Sequence, residues 1–274
     1  MTIAWAALVV IGVTAVATAA MLLVRGRAPD GSYFEDGDRA AGVFGVLATG
    51  FAVLLGFVVF LAFESFDTSR SGAEAEAQLV AQQFETAQFL PVAVRGRLSG
   101  ELVCYARAVV HQEWPRMVSG TLGDVINPWG VAMFRTLGTS EPRTASEQTA
   151  YDKWFDQRSD REDARADRTH GAEGVIPAAL WIVLFLSAVI IFVMLFFADS
   201  SERVIVQATM MGSVAIVITS TLLLLWFLDN PYHSGLSGLR PVAMERTLRL
   251  LDQGTAIVGG RFEIPCDSRG AARG

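Results

Sequence analysis

The sequence predicts an all-α integral membrane protein in which four transmembrane helices carry long helical extensions into water. Hydrophobic residues make up 52% of the chain, and its mean hydropathy of +0.39 is high for a soluble protein. The apolar residues are concentrated in runs, and the charges that sum to −6 lie between those runs. This distribution is typical of a polytopic membrane protein.

Four apolar runs are long enough to cross a bilayer as helices. They cover residues 2–24, 42–64, 175–198 and 204–228. The second run holds 22 residues without a charge, Gly42–Phe63, which is about 33 Å of helix against about 30 Å of hydrocarbon. We therefore predict transmembrane helices 1 and 2 in 1–64, a helical cytoplasmic domain in 65–174, helices 3 and 4 in 175–228 and a cytoplasmic C-terminal segment in 229–274.

The first run could instead be a signal peptide, because its Ala-Thr-Ala-Ala sequence suits cleavage by a signal peptidase. However, no Lys or Arg precedes the run, and it is longer than the usual apolar core of about 7–15 residues. We predict a membrane helix.

The second run is predicted to continue beyond the membrane as one long helix, since no proline interrupts residues 42–83. One face of this helix leads from a small polar residue, through apolar residues, to two carboxylates. Its members, at steps of four, four, four, three and three, are Thr49, Val53, Phe57, Leu61, Glu64 and Asp67. Copies around an axis would form a hydrophobic constriction that opens into an acidic vestibule, although the same spacing also describes a lipid-facing or bundle-packing stripe.

This helix also carries a family resemblance. The sequence GFVVFLAFESFDTSRSGAEAEAQ resembles the second, pore-lining helix of the bestrophin channels, in which a Gly-Phe pair precedes a polar turn and an aromatic- and charge-rich continuation. Aligning Gly56 and Phe57 with that pair places the three neck positions of the family on Thr49, Val53 and Phe57.

A second resemblance lies at the end of the fourth run. The sequence LDNPY, with Asp229, Asn230 and Pro231, is similar to the Asn-Pro-Phe turn that follows the last bestrophin membrane helix. Over the whole chain, LLGFVVFLAFESFDTSRSGAEAEAQLV, EWPRM, IPAALW and LDNPY resemble the bestrophin-like family of bacterial membrane proteins, formerly a domain of unknown function.

The resemblance implies a homo-oligomeric, pentameric ion channel that lies in the lipid bilayer and conducts inorganic ions. The two cysteines and three histidines form no zinc or redox motif, so we expect no cofactor. Thr49, Val53 and Phe57 would form the neck, and Leu61 with the two carboxylates would form the inner mouth. Rings of Glu64 and Asp67 favour cations over anions. In animal bestrophins the turn precedes acids that bind calcium, but here HSGLSGL follows it, so we expect no metal site.

The alternative function is a non-conducting membrane scaffold or sensor whose cytoplasmic helical domain binds partners. An enzyme is not expected, because His111 and Glu113 have no nucleophile or metal ligand near them in the sequence. Nucleic-acid binding is not expected either, since no basic cluster with interleaved aromatic residues occurs.

The aqueous part is predicted to be helical over 73–90, 94–113 and 144–170, with a short amphipathic helix over 240–251. Opposite charges at steps of three and four predict that the 144–170 helix is a solvated one, with a funnel for ions or salt bridges between subunits as the alternatives. From Gly254 onwards the chain is expected to be loosely ordered, and the final RGAARG to be disordered.

The arginine distribution predicts an inner (plasma) membrane protein with both termini and the 65–170 region in the cytoplasm. Arg25 and Arg27, next to the first span, argue for the opposite orientation. A disulfide between Cys104 and Cys266 requires an oxidising compartment, so the predicted topology argues against one.

Overall fold

The computed structural model describes residues 3–27, 37–121, 126–198, 203–233, 235, 238–257 and 262–273. It confirms the predicted all-α class with four helices long and apolar enough to span a membrane. Two compact units divide the chain. The membrane unit comprises Met1–Ser65, Gly174–Asn230 and Ser234–Ser237, and the aqueous unit comprises Phe66–Glu173, Pro231–His233 and Gly238–Gly274.

The α-helices follow one another in this order: α1 Ile3–Arg27, α2 Gly37–Ala87, α3 Val92–Ala108, α4 Trp114–Val118, α5 Pro128–Gly138, α6 Ala145–His170, α7 Ala178–Ala198, α8 Val204–Asp229 and α9 Val242–Ile257. A π-helical turn, Val109–Glu113, joins α3 to α4, and a 3₁₀ turn, Gly171–Glu173, follows α6. Helix α2 is 51 residues long, and it ends shortly before Pro91, whose ring and missing N–H do not fit a helix interior.

In the membrane unit, small residues let helices approach closely. Ala17, Met21, Met211 and Ala215 form the buried contact between α1 and α8. A Cβ on Gly212 would lie only 3.6 Å from the Thr14 side chain. Because lipid tails are as apolar as these side chains, such close packing is what holds membrane helices together.

The aqueous unit is organised around α3. Its apolar face, formed by Leu98, Leu102 and Tyr105, is fully buried, and Val109 at the start of the π-helical turn continues it, as expected for a helix that packs against partners. Helix α6 starts with a capping box in which Thr144 and Glu147 bond each other's backbone N–H groups.

The expectation of a loosely ordered end is wrong for residues 262–273, which pack along α3. A Cβ on Gly100 would lie 2.2 Å from the Glu263 carbonyl oxygen, and Gly270 has φ +81°. The indole Nε1 of Trp129 donates to the Gly270 carbonyl at 2.7 Å. Glycines at both contacts therefore let two backbones approach in a way that composition does not reveal.

The expectation against a disulfide is also overturned. Cys104 on α3 and Cys266 in the C-terminal tail are bonded, with Cα atoms 5.7 Å apart. Their separation of 162 residues gave no local signal of the pairing, since only the path of the tail along α3 brings them together.

Candidate pore-lining face

The first half of α2 has one buried face, which packs on α7 and α8. Phe51, Leu55, Val58 and Ala62 are its buried residues, and they meet Leu184 and Leu225, among others. The steps of four, three and four keep them on one side of the helix. Contacts inside the membrane unit therefore determine which way α2 is rotated.

The predicted stripe lies on the opposite side of α2. Val53 and Ala62 are nine residues apart, which at about 100° per residue places them on opposite faces. Thr49, Glu64 and Asp67 are exposed, and Val53 and Phe57 keep 69% and 62% of their surface accessible. The stripe is therefore not packed into its own bundle, and its role in a pore stays a prediction.

Leu61 lies at the edge of this exposed face, with 39% of its surface accessible. Two residues that the sequence analysis missed lie nearer its centre, Val46 at 75% and Phe60 at 61%. Each is seven residues from Val53, or about 20° around the helix. A seven-residue spacing that continues to Asp67 was the signal that could have revealed them.

Four glycines leave open space beside this part of α2. A Cβ on Gly42, Gly45, Gly50 or Gly56 would meet no atom within 4 Å. Glycine in an apolar helix lets another helix approach closely. The open space is consistent with further helices against α2 in an assembly.

The carboxylates at the end of the stripe have no cation beside them in the described part of the chain. Among the residues that the structure describes, no ion pair or hydrogen bond involves the side chains of Glu64 or Asp67. Arg70, the next charged residue, pairs instead with Glu74, with 3.4 Å between Nε and Oε1. Both acidic side chains are thus exposed to solvent, and the nearest arginine in the sequence is engaged elsewhere.

Two residues of the predicted helix-end turn, Asp229 and Asn230, make structural contacts in the membrane unit, whereas Pro231 belongs to the aqueous unit. The Asp229 carboxylate is buried and accepts the N–H groups of Val175 and Ile176 at 2.8 and 2.9 Å and the indole Nε1 of Trp181 at 3.4 Å. The Asn230 amide donates to the Trp226 carbonyl at 3.0 Å. The Asp229 contacts tie the end of α8 to α7 and the segment that leads into it, and the Asn230 contact closes the last turn of α8.

The same turn does not fit a calcium site. Both Asp229 oxygens accept hydrogen bonds from N–H groups, and calcium needs six to eight oxygen ligands. Within the described ranges, no three His, Cys, Asp or Glu side chains are grouped closely enough to hold a metal ion.

The aqueous unit contains a buried charge network that was not predicted from the sequence. The fully buried Arg168 guanidinium pairs with Glu76 of α2 and, at 2.6 Å, with Glu113. The Tyr105 hydroxyl donates to Glu76 at 2.6 Å, and the Asn127 amide donates to Glu113 at 2.8 Å. Every charge in the network therefore has a partner of opposite sign or a hydrogen bond.

The network shifts the pKa values of its members. Burial alone would raise the pKa of Glu113, but Arg168 and Arg165 outweigh burial and lower it. Burial disfavours the Arg168 charge, yet the Glu76 and Glu113 carboxylates hold the pKa of Arg168 above its ordinary value. The Tyr232 hydroxyl donates to the Arg168 carbonyl, and burial raises the pKa of Tyr232 to about 12. The Glu113 carboxylate and the Arg168 guanidinium are therefore both charged at neutral pH.

The prediction of a solvated α6 is wrong for one of its faces. Trp154, Arg161 and Arg168 are fully buried, and they recur every seven residues with Gln157 and Ala164 between them. The tryptophan and alanine at core spacing were the available signal, but the dense charges of the helix masked it.

The family model described as Bestrophin-like domain matches residues 3–244. The chain belongs to the bestrophin-like family. No protein with a curated description matches it.

The fold of this bestrophin-like protein is similar to crystal structures of a bacterial bestrophin homolog from Klebsiella pneumoniae. One variant has a TM-score of 0.70 and 14% identity, over 92% of this chain and 99% of the other. A second variant has 0.72 and 15%, over 90% and 97%. A structure phased with zinc has 0.68 and 16%, over 93% and 98%. At these identities the likeness shows the fold alone.

Proposed function

We propose that this bestrophin-like protein is a passive ion channel whose axial pore is lined by α2. Family and fold support a channel of the bestrophin type in general. The observation that carries the finer proposal is the exposed stripe of α2, which begins at Thr49 and ends in two unpaired carboxylates. Four spans with one such stripe do not enclose a pore alone, so the proposal requires several copies around an axis, a pentamer by family resemblance.

The neck of this pore is hydrophobic. Val53 and Phe57, with Phe60 on the same exposed face, would form apolar rings around the axis, and Thr49 would lie at the outer end. Narrow apolar rings block ions when they lose their water and open when they widen. Permeation therefore depends on the size of these side chains.

The inner mouth selects for cations. In an assembly, Glu64 and Asp67 would form two carboxylate rings close to the end of the charge-free segment, with Leu61 at their edge. Carboxylate rings raise the local concentration of cations and repel anions. We propose cation preference on this basis.

For the orientation, we propose that both termini and the aqueous unit lie in the cytoplasm at an inner membrane. The excess of arginine on that side supports this orientation. The Cys104–Cys266 bond is the observation against it, since disulfides persist mainly in oxidising compartments. Alkaline phosphatase fused after Arg273 is expected to be inactive, and an active fusion would reverse the orientation.

Flux through liposomes that contain the purified protein tests the channel. We expect Phe57→Ala to increase sodium and potassium leak about tenfold or more, because it widens an apolar ring. Phe63→Ala, the same change outside the stripe, is the matched control and leaves flux unchanged. Phe51→Ala, on the buried face, lowers stability instead.

Two further results decide the proposal. Glu64→Gln with Asp67→Asn is expected to reduce the preference for potassium over chloride. If the wild-type protein and Phe57→Ala both conduct no ion, while only protein stability changes, the scaffold function is the better description. An oligomer count of one in native mass spectrometry would also end the pore proposal.

A further inference from the structure

A concave pocket of about 470 Å³ lies in the aqueous unit, and its lining residues differ from those of the α2 stripe and of the buried network. Helix α2, Trp114 of α4, the segment before α9 and the first turns of α9 line it. Its charged residues are Arg70, Glu74, Arg240 and Arg246. Three guanidinium groups and one carboxylate give the lining a net charge of +2.

Two of the three arginines are available to an outside anion. Arg240 and Arg246 are exposed, and among the described residues neither has a carboxylate partner. Arg70 is held by Glu74 at 3.4 Å, but both side chains are more than half exposed, and exposed pairs of this kind are weak. All three guanidinium groups are therefore free to rearrange around a ligand.

The start of α9 adds backbone donors to the same pocket. The Glu245 N–H bonds to the Pro241 carbonyl at 2.9 Å, so the helix begins directly after a residue with no side-chain acceptor to cap it. Val242 and Ala243 line the pocket. The first N–H groups of a helix carry a partial positive charge and bind anions when no side chain caps them.

The floor of the pocket is rigid. The Trp114 indole Nε1 donates to the Leu239 carbonyl at 3.2 Å, and its ring meets the Tyr232 ring edge-on at 5.5 Å. The Arg168 guanidinium lies 5.8 Å from the centre of the indole ring. The floor therefore holds its shape while the exposed arginines adjust to a ligand.

We propose that this pocket binds a phosphate group. Planar guanidinium groups make paired hydrogen bonds to tetrahedral phosphate oxygens. A volume of about 470 Å³ is much larger than a chloride ion needs and leaves room for the molecule that carries the phosphate. Glu74 opposes the ligand and limits its affinity. The site stands independently of ion conduction.

Two sources of the phosphate fit this chemistry. One is a free phosphorylated solute. The other is the headgroup of an anionic phospholipid, because Arg70 follows the last residue of the charge-free run, Phe63, by seven residues, or about 10 Å of helix. The experiment has one arm for each source.

The first arm measures thermal unfolding of the full-length protein in detergent with increasing inorganic phosphate, at constant ionic strength set with chloride. We expect phosphate to raise the unfolding temperature. Arg240→Gln with Arg246→Gln is expected to weaken phosphate binding about tenfold or more, and Glu74→Gln is expected to strengthen it. Arg249→Gln removes an exposed arginine of α9 outside the pocket and is expected to change nothing.

The second arm compares nanodiscs of phosphatidylglycerol with nanodiscs of phosphatidylcholine. A higher unfolding temperature in phosphatidylglycerol that the double variant loses and Arg249→Gln keeps identifies the lipid headgroup. The proposal is overturned if neither arm shows an effect. It is also overturned if Arg249→Gln behaves like the double variant, or if the double variant only dissociates the oligomer, which would make the pocket a contact between copies.

Discussion

The membrane unit and the aqueous unit achieve order in different ways. The membrane unit leaves large apolar side chains such as Leu8, Val53 and Ile205 exposed and buries only short lines of side chains between its helices. The aqueous unit buries an apolar core, a charge network and a disulfide. The exposed apolar surface of the membrane unit needs lipid or further copies of the chain to cover it. The aqueous unit is instead held together by directional bonds within one protomer.

Helix α2 takes part in both units. Up to Ser65 its inward residues are apolar or small, and the opposite face is exposed. Beyond that point its inward residues include Glu76 and Gln83, which are fully buried. Buried polar groups must find specific partners, so the second half of α2 can pack in only one register. The first half keeps an exposed face that is available for assembly.

The most direct test of this difference between the units is to replace Arg168, which lies at the centre of the buried charge network. Arg168→Met leaves the Glu76 and Glu113 carboxylates buried without their cation, and we expect a loss of about 3–5 kcal/mol in the free energy of unfolding. Denaturant titration of the purified protein measures it. Arg249→Met, an exposed change on α9, is expected to shift stability by less than about 0.5 kcal/mol. Similar values for both variants would contradict the buried network.

Removal of the disulfide is expected to have the next largest effect on stability. Cys266→Ala opens a cross-link between residues 162 positions apart, and we expect it to lower the free energy of unfolding by about 2–4 kcal/mol. Dithiothreitol should destabilise the wild-type protein and leave the variant unchanged. Alkylation of both thiols in the untreated protein, detected by mass spectrometry, would show that the bond does not form.

A matched pair on α2 sharpens the contrast between its faces. Val58 is buried and Val53 is exposed. Val58→Ala is expected to lower stability by about 1–2 kcal/mol through a small cavity, and Val53→Ala by less than about 0.5 kcal/mol. Unfolding in the same detergent compares the two variants. An equal loss for both would place Val53 in a packed contact.

Acid should weaken the aqueous unit through Glu113. Its pKa in the folded protein is lowered, so the native state favours the carboxylate. Stability from this group is complete above the ordinary carboxyl pKa of about 4.3 and is lost as the pH falls through the lower folded value. We expect this to be the smallest of the four effects. The unfolding temperature of the wild-type protein should decline gradually as the pH falls, and Glu113→Gln should make that decline smaller. A wild-type protein that gains stability in this range would contradict the assignment.

Local patterns were enough to predict several features of this chain. The four spans follow from the lengths of the apolar runs, and the continuation of α2 follows from a run without proline. The exposed stripe was found from its spacing, apart from Val46 and Phe60. Composition and periodicity act over a few turns of helix, which is the range that a sequence displays directly.

The tertiary structure decided the rest, because the partners lie far apart in the chain. Arg168 meets Glu76 across 92 residues, and Cys104 meets Cys266 across 162. Tyr105 and Trp129 are likewise linked to distant acceptors. Such contacts depend on how whole helices pack, and neither residue of a pair signals the other. The sequence by itself determined a four-span bestrophin-like helical protein, while packing alone decided which charges are buried and where the chain is cross-linked.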